Sequence, residues 1–337
     1  MTDTTGPIDP VAFARNLIDI DSTTGQEAEA GAWLARALRE RGYNVTEQPA
    51  AGDRFNVFAQ LDKSPRVVLS THFDCVPPFF PSREERGLLF GRGACDAKGI
   101  LAAQLAAAER LRAAGERRVA LLFVVGEEHG HEGSQVANAH APSGVEYLVN
   151  GEPTDNRLGS ATRGMLRVRL HAEGRAAHSA FPELGESAID KLLDALMVIR
   201  GLELPEDPLL GRTHYSVGLI EGGVAPNVVS AHASAELMFR IVGAAAPVLA
   251  ALAVVDSLVA VEHVLDVPAV RMHTVPGFET AVFAYTTDVP LLGNWGTPML
   301  LGPGSIHVAH TDDEHVVIDE LHEAVGLYER LVARLLY

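Results

Sequence analysis

Basic residues are scarce in this sequence relative to acidic ones. Its 337 residues include 27 lysines and arginines against 44 aspartates and glutamates, which gives a formal net charge of -17. A surface this acidic repels phosphate backbones and anionic lipid headgroups. Nucleic acid and membrane surfaces are therefore excluded as expected partners, and the charge otherwise indicates only solubility.

Cysteine is also rare, and long apolar runs are missing. Cys75 and Cys95 are too few for a disulfide framework and fit a reducing compartment. The sequence contains no run of about 18 or more apolar residues, so no membrane span is predicted. The polar residues 1–10 lack the basic and apolar regions of a signal peptide. We therefore expect a cytoplasmic protein.

Strands alternate with helices in the first half of the chain. Short apolar runs at 67–69, 119–125 and 147–150 are typical of buried strands, and the patterns at 27–41 and 97–114 are typical of helices. Alternation of this kind predicts an α/β fold with a mostly parallel sheet and helices on both faces. With 47% hydrophobic residues, the chain can fill the core of two domains.

The pattern changes after Gly164, where residues 165–171 alternate between apolar and polar side chains. Further strands at 215–220 and 233–242 and helices at 186–200 and 247–258 predict a small α+β domain of ferredoxin-like type. The chain then returns to the first domain and ends in a helix at 319–336. The predicted catalytic domain is 1–164 with 269–337, and the predicted inserted domain is 165–268.

His72 and Asp74 stand two residues apart near the end of a predicted strand, so they share one face. A metal-bound histidine usually gives its second ring proton to a carboxylate, and Asp74 is placed to accept it. The competing interpretation is a pair that caps a turn. Asp96, at the mouth of the next helix, either caps that helix or bridges two metal ions.

Glu127 and Glu128 directly follow a buried apolar strand, where unpaired charges are costly. Adjacent side chains diverge, so we assign Glu128 as a metal ligand and Glu127 as general base, against the alternative of a charged loop. His129 and His131 follow and are interpreted as loop residues. Glu152 comes after the next strand, and it is either a ligand or a surface acid in a turn.

His307 and His310 lie in a polar loop near the end of the chain and are further candidates. The candidate residues in the first half follow parallel strands, whose carboxyl ends form the ligand crevice of open α/β sheets. Histidine and carboxylate ligands suit zinc and also accept cobalt or manganese. Two such divalent ions about 3.5 to 4 Å apart can ionise one water and polarise a carbonyl.

The combined motifs resemble the M20 metallopeptidases, which include acetylornithine deacetylase, succinyl-diaminopimelate desuccinylase, aminoacylase and glutamate carboxypeptidase. The resemblance covers nearly the whole chain. Five motifs occur in the order of that family: residues 70–77, 91–99 and 126–133, the Glu152 loop and the His310 loop.

The resemblance implies a role for each candidate. His72 and Glu152 would bind one metal ion, Glu128 and His310 the other, and Asp96 would bridge both. Glu127 would be the general base and Asp74 the group that orients the histidine. The resemblance favours His310 over His307, because only His310 stands in the Ala-His-Thr-Asp-Asp-Glu context of the family loop.

The inserted domain resembles the family's lid and dimerisation domain, which implies a homodimer. His178 matches the histidine that stabilises the oxyanion, which in dimeric relatives comes from the partner subunit. Asn227 and Arg240 match positions that hold the substrate, and the planar fork of Arg240 suits an α-carboxylate. Gly302 and Gly304 are predicted to contact the substrate as well.

Gly126 departs from the family pattern, which often has aspartate before the paired glutamates, and the surrounding stretch resembles the acetylornithine deacetylase branch. This implies hydrolysis of a small N-acyl amino acid such as N-acetylornithine, in amino-acid biosynthesis. The alternatives within the family are a dipeptidase, a carboxypeptidase or succinyl-diaminopimelate desuccinylase. An alternative of another class is a non-catalytic metal-binding or amino-acid-binding protein on the same scaffold.

Overall fold

The structure of the protein is a computed structural model that describes residues 6–337. The described chain divides into unit 1, residues 6–160, 272–281 and 287–337, and unit 2, residues 161–271 and 282–286. The inserted domain predicted from the sequence, 165–268, begins and ends a few residues inside the 161–271 segment of unit 2. The sequence interpretation also assigned 282–286 to the catalytic domain, whereas the structure joins this segment to unit 2, where the main-chain N–H of Arg163 donates to the carbonyl of Phe283.

Seven α-helices occur within residues 6–337. They are α1 (Pro10–Ile18), α2 (Ala28–Glu40), α3 (Lys98–Ala113), α4 (Glu132–Ala139), α5 (Ala188–Arg200), α6 (Ala246–Leu252) and α7 (Ile318–Leu336). Short 3₁₀ turns lie at Pro182–Leu184, Ala253–Val255, Val289–Leu291 and Gly293–Trp295. None of these helices has both the length and the apolar character that crossing a bilayer requires.

The strands are shorter on average than the helices, and several are edge or hairpin strands. They are β1 (Asn44–Ala51), β2 (Arg54–Gln60), β3 (Val67–His72), β4 (Arg83–Glu85), β5 (Leu88–Phe90), β6 (Val119–Val124), β7 (Tyr147–Asn150), β8 (Leu158–Thr162), β9 (Gly164–Glu173), β10 (Glu206–Asp207), β11 (Gly211–Arg212), β12 (His214–Gly222), β13 (His232–Ile241), β14 (Ala260–Val267), β15 (Val270–Arg271), β16 (Thr280–Phe283), β17 (Thr297–Leu300) and β18 (His315–Val317).

The central sheet of unit 1 has the strand order β1-β2-β6-β3-β7-β17. Strands β6, β3, β7 and β17 run parallel, while β1 and β2 form an antiparallel hairpin at one edge. This confirms the predicted mostly parallel sheet. The hairpin was not predicted, and it makes the sheet mixed.

Side chains of β6 alternate between two apolar cores on opposite faces of the sheet. Leu121 and Phe123 pack in the core that contains α1, α2, α3 and α7. Leu122 and Val124 pack in the other core, with Ala137 of α4. A strand covered on both faces has no solvent side, which explains why β6 is apolar throughout. The predicted helices on both faces are confirmed.

Unit 2 contains a four-stranded antiparallel sheet of order β12-β13-β9-β14. Helices α5 and α6 cover one face, where apolar side chains from alternate positions of β9 and β13 form the core of this unit. The chain order β9, α5, β12, β13, α6, β14 is the βαββαβ arrangement of a ferredoxin-like fold. The other face carries charged residues, among them Arg167, Arg169 and Glu236.

Candidate metal centre and active site

The parallel strands of unit 1 end together at one edge of the sheet. His72, the last residue of β3, lies beside Val124, the last residue of β6. β7 and β17 end side by side at Asn150 and Leu300. The chain after β6 carries the paired glutamates, and the chain after β7 carries Glu152. These acidic side chains therefore lie around the buried end of β3, because the strands before them end at the same edge of the sheet.

His72 is buried and bonded on both ring nitrogens. Its Nε2 lies 2.9 Å from Asp96 Oδ1, and its Nδ1 lies 3.1 Å from the carbonyl oxygen of Asp74 and 3.4 Å from Asp74 Oδ1. Burial alone would lower the pKa of His72, but hydrogen bonds to the two aspartates outweigh it and raise that pKa. β3 ends at His72, so Asp74 reaches the ring from the following turn and not from the strand.

Asp74 is fully buried and holds the loop that follows β6. Its carboxylate accepts hydrogen bonds from the main-chain N–H groups of Glu127 and Glu128, at 3.1 and 3.2 Å, and from the Thr24 hydroxyl at 2.8 Å. These bonds and the contact with His72 keep its pKa below the ordinary value in spite of burial. Asp74 thus connects the histidine to the glutamate loop.

Asp96 precedes α3 and lies between the two predicted histidine ligands. Its Oδ1 contacts His72, and its Oδ2 is 3.4 Å from His310 Nε2. His310 Nε2 also lies 2.9 Å from Glu128 Oε1. Hydrogen bonds that His310 donates to Asp96 and Glu128 raise the pKa of His310 to about 10. The structure brings His310 to this cluster although its side chain is 47% exposed, and His307 lies exposed on the same loop.

Glu152, which is buried, and Glu127, which is partly buried, complete the cluster. Asn150 Nδ2 donates to Glu152 Oε1 at 3.4 Å. Burial raises the pKa of both glutamates well above the ordinary value. The negative charge of Asp96 raises the pKa of Glu152 further, and the negative charge of Glu152 raises that of Glu127. Within the described residues, the Glu127 carboxylate has no hydrogen-bond partner, although its main-chain N–H is held by Asp74.

The composition of the cluster fits divalent cations. One ligand atom each from His72, Asp96 and Glu128 lies within 4.8 Å of the others, and His310 contacts two of the three. Five buried or mostly buried carboxylates face two histidines: Asp74, Asp96, Glu127, Glu128 and Glu152. Buried carboxylates in such excess need positive charge beside them, and cations bound by oxygen and imidazole ligands supply it.

Glu314 and Arg92 support Asp96, and the sequence interpretation gave neither of them a role. The Glu314 carboxylate accepts hydrogen bonds from the main-chain N–H groups of Gly93, Cys95 and Asp96, at 2.9, 3.2 and 3.1 Å. Its other oxygen pairs with Arg92 Nη1 at 2.7 Å, and both side chains are 1% exposed. Glu314 ends the Ala-His-Thr-Asp-Asp-Glu loop of His310, but that motif does not show that Glu314 is buried while Asp312 and Asp313 are exposed.

Gly302 and Gly304 are both buried next to the predicted ligands. A Cβ on Gly302 would lie 2.4 Å from the carbonyl oxygen of Glu152, and Gly304 has a φ of +83° with Cys95 Sγ 2.7 Å from its would-be Cβ. These close approaches explain the glycines, because they let the β17 loop pack against the chain that carries Glu152 and Cys95. Their predicted contact with substrate stays a prediction.

His178, Asn227 and Arg240 lie in unit 2. His178 forms an isolated bridge with Val228, and the main-chain N–H of Ser179 donates to the carbonyl of Asn227. His178 is exposed, and its Nδ1 accepts a hydrogen bond from the main-chain N–H of Ala180 at 3.1 Å. Nδ1 is therefore the acceptor, which leaves the proton of the neutral ring on Nε2.

Arg240 is half-buried on β13. Its side chain has no hydrogen-bond or ion-pair partner within residues 6–337, and burial lowers its pKa. The structural salt bridge that would have been the ordinary explanation for this arginine is therefore not formed with the described chain. A guanidinium in this situation is suited to an anionic ligand.

Comparison with known proteins identifies the family of this chain. A profile of Peptidase family M20/M25/M40 matches residues 68–334. A probable carboxypeptidase of Aspergillus clavatus is 38% identical over 369 residues, which cover 96% of this chain and 81% of that relative.

Two solved structures share the fold. A tripeptidase of Staphylococcus aureus superposes with a TM-score of 0.81 at 20% identity, covering 98% of this chain and 100% of that one. An M20 family metallo-carboxypeptidase of Sulfolobus solfataricus superposes with a TM-score of 0.74 at 17% identity, covering 96% of this chain and 98% of that one. The family profile matches most of the chain, and the Aspergillus clavatus relative aligns with 96% of it. The chain therefore belongs to Peptidase family M20/M25/M40.

Proposed function

We propose that the protein is a metal-dependent carboxypeptidase that hydrolyses the last amide bond of a small peptide. One observation supports hydrolysis most directly. His72, Asp96, Glu128 and His310 form one contact network at the sheet edge, with the unpaired Glu127 carboxylate on the same loop as Glu128. This combines a set of metal ligands with a free base, as metal-assisted hydrolysis requires.

The cluster offers ligands for two cations. His72 and Glu152 would hold one, Glu128 and His310 the other, and the two oxygens of Asp96 already face both histidines. Bound divalent ions would lower the pKa of a water and polarise the scissile carbonyl. Zinc is the metal this ligand set suits best, with cobalt or manganese as substitutes.

Glu127 serves as the general base in this proposal. Its carboxylate accepts a proton from the attacking water and passes it to the leaving amine. Asp74 supports this role because it holds the Glu127 main chain and contacts His72 at the same time. Burial raises the pKa of Glu127 above its ordinary value, which makes its carboxylate a stronger proton acceptor.

Residues of unit 2 would bind the rest of the substrate. The Nε2 proton of His178 is available to donate to a developing oxyanion, because Nδ1 already accepts from Ala180. Arg240, with no acidic partner in the described chain, would bind the α-carboxylate, and Asn227 would contribute an amide.

The comparisons favour a peptide over an acetylated amino acid. The sequence interpretation put N-acetylornithine first and a carboxypeptidase among the alternatives. The Aspergillus clavatus relative is named as a probable carboxypeptidase, and the Sulfolobus solfataricus neighbour as a metallo-carboxypeptidase. The acetylornithine deacetylase branch has no comparable support, so we propose the carboxypeptidase reaction.

A substrate panel tests the proposal. The zinc-, cobalt- or manganese-loaded protein is assayed on small peptides with a free carboxyl end, the same peptides as C-terminal amides, N-acetylornithine and succinyl-diaminopimelate. We expect free-acid peptides to be cleaved fastest. Arg240→Met should lower kcat/KM for them about 10- to 100-fold, since a charge-assisted bond is lost. N-Acetylornithine as the best substrate would overturn the carboxypeptidase assignment.

Arg212→Met is the matched control for that experiment. Arg212 also lies in unit 2, but its side chain is 70% exposed and only loosely paired with Glu206 at 3.7 Å. It should keep full activity and full preference for the free acid. Equal losses in both arginine variants would mean that Arg240 acts through stability alone.

A further inference from the structure

A second group of ligand-type side chains lies beside the proposed metal pair. Glu127, His131 and Asp288 each offer one ligand atom, and these atoms lie within 4.8 Å of one another. His131 Nδ1 is 3.0 Å from Asp288 Oδ1, and the two side chains are 11% and 3% exposed. The sequence alone indicates a loop residue at position 131 and predicts no role for Asp288.

The chain fixes the positions of His131 and Asp288. The main-chain N–H of His131 donates to the Gly126 carbonyl at 2.7 Å, and its carbonyl accepts from the Ser134 hydroxyl at 2.9 Å. Asp288 stands directly before the 3₁₀ turn Val289–Leu291. Both residues are thus held by local structure, whereas Glu127 can swing on its three side-chain torsions.

The charges of this group match a cation. Two acidic side chains, Glu127 and Asp288, approach one another where little water reaches, and Glu127 has no hydrogen-bond partner within residues 6–337. A cation between the carboxylates would replace their repulsion by attraction. One imidazole and two carboxylates form a set that zinc accepts, with a fourth position left for water.

The contact geometry also resembles that of the proposed pair. His131 and Asp288 lie 3.0 Å apart, and the proposed ligands His72 and Asp96 lie 2.9 Å apart. Ligand atoms on one tetrahedral zinc, each at about 2.0–2.1 Å, lie about 3.3 Å from each other. The histidine and aspartate therefore need almost no movement, and a rotation of Glu127, whose ligand atom lies within 4.8 Å of theirs, would complete the set.

We propose that Glu127, His131 and Asp288 form a third divalent-metal site, and that zinc bound there inhibits the enzyme. The inhibition rests on the proposed function, because a carboxylate that ligates zinc cannot accept a proton from water. The binding does not depend on that function. At a free zinc concentration ten times the dissociation constant of this site, activity should fall about tenfold by mass action.

The test compares two histidines of one loop. His129 is exposed and has no partner in the described chain, so His129→Ala is the matched control for His131→Ala. Bound zinc is measured by equilibrium dialysis against rising free zinc, in parallel with peptidase activity. Wild type and His129→Ala should take up a third, weaker equivalent and lose activity as it binds. His131→Ala and Asp288→Asn should stop at two equivalents and escape the inhibition.

Three results would overturn the proposal. They are a wild-type protein that never exceeds two equivalents, a third equivalent that persists in His131→Ala, and an activity loss in His131→Ala with unchanged zinc binding. The last would leave His131 and Asp288 as a hydrogen-bonded pair that positions Glu127. Should either variant fail to fold, Glu127→Gln serves in dialysis, where it should also lose the third equivalent.

Failure of the proposed function has a different signature. If wild type hydrolyses no substrate in the panel, the dialysis readout still stands, and loss of the third equivalent in His131→Ala supports the site.

Discussion

At the scale of single residues, Asp74 joins the two parts of the candidate site. The sequence predicted it as the carboxylate that orients His72. In the structure the imidazole lies closer to the Asp74 carbonyl than to its carboxylate, and the carboxylate instead binds the main chain of Glu127 and Glu128. Substitution of Asp74 should therefore disturb the histidine ligand and the glutamate loop together.

Glu127→Gln is the most direct residue-scale prediction. The amide keeps the size of the side chain but cannot accept the proton of water, so kcat should fall at least about 10²-fold. Metal content, measured after dialysis at low free zinc, should stay at the wild-type level, because Glu127 is not among the ligands of the proposed pair. Glu183→Gln, on an exposed residue, is the control. Near-full activity in Glu127→Gln would refute the role.

Residues that act through the fold were the hardest to predict. His72, Asp96, Glu128, Glu152 and His310 could be selected because each follows a strand or stands in a family motif, and the structure brings four of them into direct contact. Asp288 lies outside these motifs, and Glu314 ends the family loop of His310 without an assigned role, since an acid in a polar loop is usually exposed. Their burial depends on packing that the local sequence does not contain.

At the scale of elements, Lys98 ties the first turn of α3 to the end of α1. Its Nζ donates to the carbonyl oxygens of Leu17 and Ile20, at 3.1 and 2.9 Å, and the side chain is fully buried. A cation suits the carbonyl end of a helix. Asp96 stands two residues before Lys98, so the same contact helps to place the proposed bridging ligand.

Lys98→Met should destabilise the protein by about 2–5 kcal/mol, because methionine fills the space but cannot donate the two charge-assisted hydrogen bonds to the carbonyls of Leu17 and Ile20. Urea unfolding measures this as a lower midpoint at unchanged slope. Lys63→Met, at an exposed position, should shift stability by less than about 0.5 kcal/mol. A Lys98 variant as stable as wild type would show that the two hydrogen bonds contribute nothing net.

Elements with strong periodicity were predicted closely. The helix predicted at 97–114 is Lys98–Ala113, and the strand predicted at 147–150 is Tyr147–Asn150. The hairpin of β1 and β2 and the helices α1 and α4 were missed. β1 is polar and mostly exposed, and α4 has only eight residues, so neither carries a regular apolar pattern of useful length.

At the scale of the whole molecule, the proposed reaction draws on both units. The proposed metal ligands and Glu127 belong to unit 1, whereas His178, Asn227 and Arg240 belong to unit 2. The homodimer expected from the family resemblance stays a prediction. Strand β12 is an edge of its sheet, with Leu219 60% and Ile220 55% exposed, and such an edge is open to pairing with another chain.

The central claim is that His72, Asp96, Glu128, Glu152 and His310 hold two cations. Crystals grown with a slight excess of zinc and measured on both sides of the zinc absorption edge test it directly. The account predicts two anomalous peaks, one touching His72 and Glu152 and one touching Glu128 and His310, with Asp96 in contact with both. A zinc-soaked crystal with no ordered peak on these five side chains would contradict it.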